Sequence, residues 1–179
     1  RAKRIEGSGT DSSCFITFDG GTFKPTAATS DSATSGILAG YLFTGKIGSN
    51  GMTIDTSEVA FREGEIDNYV PIHFVLSGNG NKVYATGGGC VYFNGYNHSY
   101  HNATIIATNE TTIVVQGYAT QASPVTIAPG SALRFTKAVQ TYSKALTFGT
   151  AGATTPTKLE FNHADGFAMT TNQFVATNL

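Results

Sequence analysis

The chain has 179 residues, of which 13% are charged and 40% are hydrophobic, and its formal net charge is −1. The hydrophobic share excludes a disordered chain, and the near-neutral charge excludes the electrostatic attraction that binds nucleic acid or an anionic membrane surface. No apolar run approaches the roughly 18 residues of a membrane-spanning helix, so we predict no membrane insertion. The length suits one ordinary domain. We predict an extended N-terminal segment over 1–13 and a single β domain over 14–179.

Taken in chain order, the first half contains short runs of β-branched and aromatic residues separated by Gly, Asn, Ser and Pro, which is the pattern of strands joined by turns. A loop rich in Thr, Ala and Ser, residues 25–35, offers little to bury. The predicted strands in this half are Cys14–Phe18, Ile37–Ile47, Glu58–Arg62 and Tyr69–Leu76.

Three hairpins are predicted in the middle of the chain. The Asn79–Gly80 pair is a strong hairpin turn signal and joins the strand ending at Leu76 to Lys82–Thr86. Pro129 followed by Gly130 supplies the fixed φ and the positive φ of another tight turn. The remaining strands predicted in this region are Cys90–Phe93, Ala103–Ala107 paired with Thr112–Tyr118, and Val125–Ala128 paired with Ala132–Phe135.

The apolar positions between Ala132 and Tyr142 fit both a helix and a strand, and we favour a strand because the segment contains Thr, Val and aromatic residues. Two last strands, Lys158–Asn162 and Phe167–Val175, follow. We find no internal repeat of fixed period, which argues against a propeller or a solenoid. The fold prediction is therefore all-β: an antiparallel β-sandwich, jelly-roll-like, assembled as a trimer.

The best candidate for a binding site is the polar stretch 95–102 together with Tyr92 and Asn94 just before it. Its tyrosine rings would stack on the apolar face of a sugar while its amides bond the hydroxyls. The alternative is that the tyrosines pack over a sheet end or in a subunit contact. The predicted ligand-binding residues are Tyr92, Asn94, Tyr96, Asn97, His98, Tyr100, His101 and Asn102.

Metal binding and catalysis find little support in the sequence. Glu63, Glu65 and Asp67 alternate as calcium ligands would on one strand face, but a hydrated turn around Gly64 is the better interpretation. His98 and His101 form at most half of a zinc site. There is no nucleophile elbow, phosphate-binding loop or dinucleotide fingerprint. We predict no metal, no cofactor and no enzymatic activity.

The two cysteines, Cys14 and Cys90, form either one bridge or two buried thiols, and both possibilities stay open. The sequons at Asn97, Asn102 and Asn109 do not establish a secreted glycoprotein, because Ser and Thr are abundant. The chain begins with Arg and shows no signal peptide. We expect a fragment or a processed product.

In composition the chain resembles the receptor-binding heads of bacteriophage tail fibres and other viral fibres: low charge, abundant Gly, Thr, Ala and Asn, and no catalytic signature. The likeness is one of composition, with no motif behind it. It implies a homotrimeric attachment domain, extracellular and on a virion surface, that recognises a cell-surface glycan or protein with avidity from several weak contacts. The alternatives are a structural surface subunit, such as a capsid decoration protein or pilin, and a secreted carbohydrate-binding module.

Overall fold

The computed structural model describes residues 5–6, 15–26, 38–39, 44–59, 69–72, 75–94, 103–116, 120–121, 124–135, 139–161 and 168–176. These ranges contain strands and no helix. The strands are β1 (Ile5–Glu6), β2 (Phe15–Phe18), β3 (Thr22–Phe23), β4 (Leu38–Ala39), β5 (Thr44–Ile47), β6 (Met52–Asp55), β7 (Tyr69–Ile72), β8 (Val75–Ser77), β9 (Lys82–Thr86), β10 (Cys90–Asn94), β11 (Thr104–Ala107), β12 (Thr112–Gln116), β13 (Thr120–Gln121), β14 (Val125–Ile127), β15 (Ala132–Phe135), β16 (Val139–Phe148), β17 (Lys158–Phe161) and β18 (Ala168–Ala176).

The strands form three sheets, and every strand pairing within the described ranges is parallel. Sheet A has the order β1-β4-β7-β10-β12-β15-β17. Sheet B has the order β2-β5-β8, and sheet C the order β13-β16-β14-β11-β9-β6-β3 with β18 paired to β16. With the exception of β13 and β14, described strands that are neighbours in the chain therefore belong to different sheets.

Up to β9 the chain passes from sheet A to sheet B to sheet C and back to sheet A, and from β10 onward the described strands belong to sheets A and C. Each circuit, here called a rung, lies against the one before it. The first three rungs are β1-β2-β3, β4-β5-β6 and β7-β8-β9. Parallel pairing usually needs a long crossover, often a helix; here the other sheets of the same rung serve as the crossover. The molecule is a parallel β-solenoid. The predicted antiparallel sandwich is wrong, and so are its three hairpins.

The prediction against a solenoid is wrong. The sequence shows no repeat of fixed period because the rungs differ in length. The aligned inner residues of sheet C are Met52, Val83, Ile105, Val125 and Leu146, so successive rungs take 31, 22, 20 and 21 residues. Each rung cannot bury its apolar face alone, and stacking builds one continuous core. The repeat lies in the strands, while the segments between them vary.

The predicted turns are present but form corners of the solenoid. Asn81 N donates to Gly78 O at 2.8 Å around Asn79 and Gly80, whose φ angles are 47° and 87°. Both central residues are thus left-handed, as in a hairpin turn. The chain nevertheless leaves sheet B and enters sheet C, because the flanking strands pair with the neighbouring rungs. A local turn signal does not specify the partner of the strand that follows.

Most predicted strand positions are confirmed even though their pairing is wrong. The segment from Ala132 onward is strand rather than helix and divides into β15 and β16. The predicted strand Glu58–Arg62 is wrong where it can be compared, because Glu58 lies in a turn that Val59 N closes by donating to Thr56 O at 3.0 Å. Residues 60–62 lie outside the described ranges.

The core is made of columns of side chains that point into the solenoid from equivalent positions of successive rungs. In sheet A the column Val70, Val91, Ile113 and Leu133 is fully buried. Burial of each such side chain contributes about 1.5–3 kcal/mol. The two buried columns of sheet C contain Met52, Val83, Ile105, Val125 and Leu146 in one and Ile54, Ala85, Ala107, Ile127 and Phe148 in the other.

The buried polar residues of the described ranges cluster where sheet C turns into sheet A. They are Thr56, Thr111, Ser131 and Thr157, each at most 2% exposed. Thr111, Ser131 and Thr157 each precede aligned first residues of sheet A strands. Thr56 Oγ1 donates to Thr86 O and accepts from Gly89 N, both at 2.9 Å. This hydroxyl corner satisfies backbone groups that no strand ladder reaches.

Candidate functional site

The outer face of sheet C carries one row of aligned side chains along the solenoid. Register places Thr53 beside Tyr84, Tyr84 beside Ile106, Ile106 beside Thr126, and Thr126 beside Thr147. All five are partly exposed, while the residues on either side of each in its strand point inward. With exposed Thr22 aligned to Thr53, this set is here called the surface row.

The spacing of the surface row follows from backbone hydrogen bonding. Neighbouring strands in a sheet lie about 4.8 Å apart, so the row presents one side chain per rung at that interval. The hydroxyls of Thr53, Thr126 and Thr147 and the phenol of Tyr84 both donate and accept hydrogen bonds. The ring of Tyr84 and the side chain of Ile106 add an apolar area between them. The row can therefore contact a long ligand that is itself both apolar and hydroxylated.

Charged groups lie beside one end of the surface row. Lys24 Nζ is 3.2 Å from Asp55 Oδ2 and 3.3 Å from Glu58 Oε1. The pKa of Asp55 is lowered, first by the hydrogen bond from Ser57 N to Asp55 Oδ1 at 2.9 Å and further by Lys24. Both carboxylates raise the pKa of Lys24. Lys24 and Asp55 are thus held in their charged forms near neutral pH.

Farther along, polar side chains link adjacent rungs at the margin of the same face. Asn109 Nδ2 donates to Thr86 Oγ1 at 2.8 Å, and Thr108 Oγ1 donates to Ala85 O at 3.3 Å. Thr86 is aligned with Asp55 in the next row of sheet C. These bonds fix the side chains beside the surface row, which lowers the entropy lost when a ligand orders them.

The structure places two of the predicted ligand-binding residues on β10 of sheet A. Tyr92 is 5% exposed and packs in a small apolar cluster with Cys90 and Val114, apart from the main core. Asn94 ends β10. Tyr96, Asn97, His98, Tyr100, His101 and Asn102 lie outside the described residues.

The hypotheses about metals and cysteines fall largely on residues that the structure does not describe. These include Glu63, Glu65, Asp67 and Cys14, while Cys90 is buried at 3% exposure. Among the residues that are described, no group of three His, Cys, Asp or Glu side chains is placed to hold a metal ion. Within the same residues no helix is long and apolar enough to cross a membrane.

Comparison with protein-family models, with curated proteins and with solved structures found no match.

Sequence reasoning missed the surface row, although a signal for it exists. Each of its strands contains a triplet in which two apolar residues flank one outward residue, as in Val83-Tyr84-Ala85 and Val125-Thr126-Ile127. These triplets recur at intervals close to 21 residues from β9 to β16. A search for recurring triplets, rather than for a fixed period over whole repeats, would have aligned them.

Proposed function

We propose that this chain is an attachment segment of a bacteriophage-like viral fibre or spike that binds an extended cell-surface glycan without catalysis. The observation that carries the proposal is the surface row, in which Thr, Tyr and Ile side chains repeat along a flat parallel sheet. A polysaccharide also presents repeating units that alternate apolar ring faces with hydroxyls. A ligand lying along the solenoid axis would meet one side chain per rung.

The chemistry of the row suits sugars better than charged polymers. The partly exposed ring of Tyr84 offers an aromatic face on which the C–H face of a sugar packs. The threonines on both sides offer hydroxyls that are polar but carry no charge, in keeping with the net charge of −1. A nucleic acid would instead select a row of Lys and Arg.

The absence of catalysis in this proposal is supported by the state of the described acids. Asp55 is ionised through its lowered pKa and is engaged by Lys24 and Ser57. Glu160 Oε2 accepts from Arg134 Nε at 2.6 Å. A glycoside hydrolase needs one carboxylic acid kept protonated by a raised pKa. A carboxylate whose pKa is lowered, as that of Asp55 is, does not serve as that acid.

The polar stretch 95–102 stays in the proposal as a second contact region. It connects Asn94, at the end of β10 in sheet A, to Ala103, just before β11 in sheet C. Segments of this kind on rigid scaffolds commonly carry binding residues. The proposal assigns Tyr96 and Tyr100 the same stacking role as Tyr84.

Assembly and location are part of the same proposal. We place the chain outside the cell, on a virion surface, where several copies gain avidity from weak contacts. The sandwich packing that first suggested a trimer is replaced by the solenoid, so the homotrimer now depends on the avidity argument alone. Light scattering on the purified chain tests it directly.

A glycan array on the purified chain tests the binding proposal. We expect reproducible binding to an extended glycan and a loss of about tenfold in affinity for Tyr84→Ala, as for a typical important contact. Thr126→Val tests the surface row with little change in shape, and Thr17→Val on the exposed face of sheet B is its matched control. Tyr96→Ala and Tyr100→Ala test the second region. Binding that none of the four test variants weakens would overturn the proposal.

A structural surface subunit is the second candidate, and one observation favours it. Phe161, on the last strand of sheet A, is 50% exposed although it occupies an inward position. Phe15 is also exposed, but Lys46 Nζ lies 3.3 Å from its ring centroid. A half-exposed Phe at an inward position is a surface on which an assembly partner can continue the core. Concentration-dependent light scattering that Phe161→Ser abolishes, with no glycan bound, would favour this role.

A further inference from the structure

We infer that Asn79 is a site of spontaneous deamidation to isoaspartate, and that Asn50, although it is also followed by Gly, is protected by the fold. The chain contains three Asn–Gly pairs, at 50–51, 79–80 and 94–95. The structure describes both residues of the first two pairs, which occupy equivalent corners between sheet B and sheet C. They differ in how tightly the following glycine is held.

The chemistry requires the backbone nitrogen after the asparagine to act as a nucleophile. The Gly80 nitrogen, after losing its proton to solvent, attacks Cγ of Asn79; the new N–C bond forms, the bond from Cγ to Nδ2 breaks, and ammonia leaves. Water then opens the resulting succinimide at one of its two carbonyls, which gives isoaspartate or aspartate. No reagent besides water is consumed. The nitrogen must be free of a hydrogen bond, and the two residues must have room to change conformation.

Asn79 and Gly80 meet both requirements. Both are exposed, and a Cβ placed on Gly80 would meet no atom within 4 Å. The hydrogen bond that closes this corner runs from Asn81 N to Gly78 O and spans the pair without using the Gly80 nitrogen. Asn79 has a φ of 47°, in the left-handed region that Asn adopts more readily than other residues with a side chain.

The Asn50–Gly51 pair is held on all sides. Gly51 N donates to Gly48 O at 3.0 Å, and Gly51 O accepts from Gly20 N at 2.6 Å. Asn50 N donates to Asp19 Oδ1 at 2.9 Å. Gly51 is buried so closely that an added Cβ would lie 2.5 Å from Lys82 O. Ring closure there requires breaking the turn bond to Gly48 and the bonds to the preceding rung, and such local opening limits the reaction.

Conversion at Asn79 would change the corner chemically. Isoaspartate routes the main chain through the side-chain carbon, so the corner gains one backbone carbon and a carboxylate beside Lys82. The turn bond from Asn81 N and the bond from Asn81 Nδ2 to Ile47 O at 2.9 Å would be displaced. The aged chain would carry one more negative charge and an isoaspartyl group accessible to a carboxyl methyltransferase.

The test follows deamidation of the whole chain during incubation in mildly alkaline buffer. Peptide mapping by mass spectrometry, with isoaspartyl and aspartyl peptides separated, reads each Asn–Gly pair independently. In the folded chain we expect Asn79 to convert at least about tenfold faster than Asn50, because ring closure at Asn50 needs local opening. In urea the two rates should become similar. Equal rates in the folded chain, or faster conversion at Asn50, would overturn the inference.

Two variants test the chemistry itself. Asn79→Gln should abolish the formation of isoaspartate in this peptide, which carboxyl methylation also detects. Gly80→Ala should slow the conversion of Asn79 strongly, because a Cβ hinders attack by the adjacent nitrogen. Circular dichroism before incubation is the control that checks whether each variant retains the fold of the parent chain. Unchanged conversion in Gly80→Ala would show that the Gly80 nitrogen is not the nucleophile and would sink the assignment.

Discussion

Phe161 stacks on Phe135 across the last two strands of sheet A, with ring centroids 5.9 Å apart and an interplanar angle of 17°. Phe135 is fully buried, whereas half of Phe161 is exposed. The two residues occupy the same inward position in successive rungs. One ring is thus covered on both sides, while the other lies on the last described strand of the sheet.

This difference in burial predicts that truncating the two rings lowers the free energy of unfolding by unequal amounts. Phe135→Ala should lower the free energy of unfolding by about 3–5 kcal/mol, as for other buried Phe residues. Phe161→Ala removes a ring that buries about half as much surface and should cost clearly less. Denaturant unfolding of the two variants measures both values. Equal losses would mean that Phe161 is covered in solution, for example by a second copy of the chain.

The hydroxyl corner predicts opposite results for two residues of similar burial. Thr111 Oγ1 accepts from Gly88 N at 3.1 Å, so Thr111→Val should cost about 1–3 kcal/mol by leaving that donor unpaired. Ser131 Oγ has no hydrogen-bond partner, and Ser131→Ala should be neutral or slightly stabilising. Unfolding midpoints in urea compare them. A large loss in Ser131→Ala would reveal a partner for this hydroxyl in solution.

The backbone conformation of Glu110 predicts that replacing this residue by Gly stabilises the fold. Its φ of 60° places a non-glycine residue in the left-handed region. Glu110→Gly should raise the free energy of unfolding by about 0.5–1 kcal/mol by relieving this strain. Glu110→Ala, which also removes the carboxylate but retains the Cβ, is the matched control and should gain little. If both variants gain equally, the charge rather than the backbone is responsible.

Asp55 predicts a dependence of stability on acid. Its pKa is lower in the folded than in the unfolded chain, so its contribution is present above the unfolded value, near pH 4, and is lost as pH falls through the folded value. The effect should stay below about 1 kcal/mol because the Lys24 partner is exposed. Unfolding free energies of the parent chain and Asp55→Asn should converge in this acidic range.

A control separates the two causes of the Asp55 shift. Lys24→Met removes the cation but leaves the hydrogen bond from Ser57 N to Asp55, the larger cause. It should preserve most of the acid-dependent loss. A flat profile in Lys24→Met would indicate that the ion pair, not the backbone bond, sets the behaviour of Asp55.

Local features of the fold could be predicted from sequence because they depend on neighbouring residues. The strand Lys82–Thr86 and the Pro129–Gly130 turn occur where the pattern of residues indicated them, the latter with Gly130 at a φ of 82°. The pairing could not be predicted, because Val83 aligns with Met52 and Ile105 rather than with its own neighbours along the chain. The alternation of apolar and polar residues predicts the face of the sheet on which a residue lies, but it does not predict which strand pairs with its own.

The candidate site shows the same division. From its own strand alone, Tyr84 is predicted only to be one outward residue. Its alignment with Thr53 and Ile106 in the structure makes it part of the surface row. The sequence predicts Tyr92 as a ligand contact because its ring, with those of Tyr96 and Tyr100, could stack on the apolar face of a sugar. It is buried instead beside Val114, which is 22 residues away in sequence and adjacent in sheet A.

The unequal rung lengths separate the part of the molecule that sets geometry from the part that varies. The spacing of Thr53, Tyr84, Ile106 and Thr126 is the same whether the rung takes 31, 22 or 20 residues. Peptides grafted into a corner segment should therefore leave the face of sheet C unaltered. Such a scaffold can vary its connections while the arrangement of side chains on sheet C stays the same.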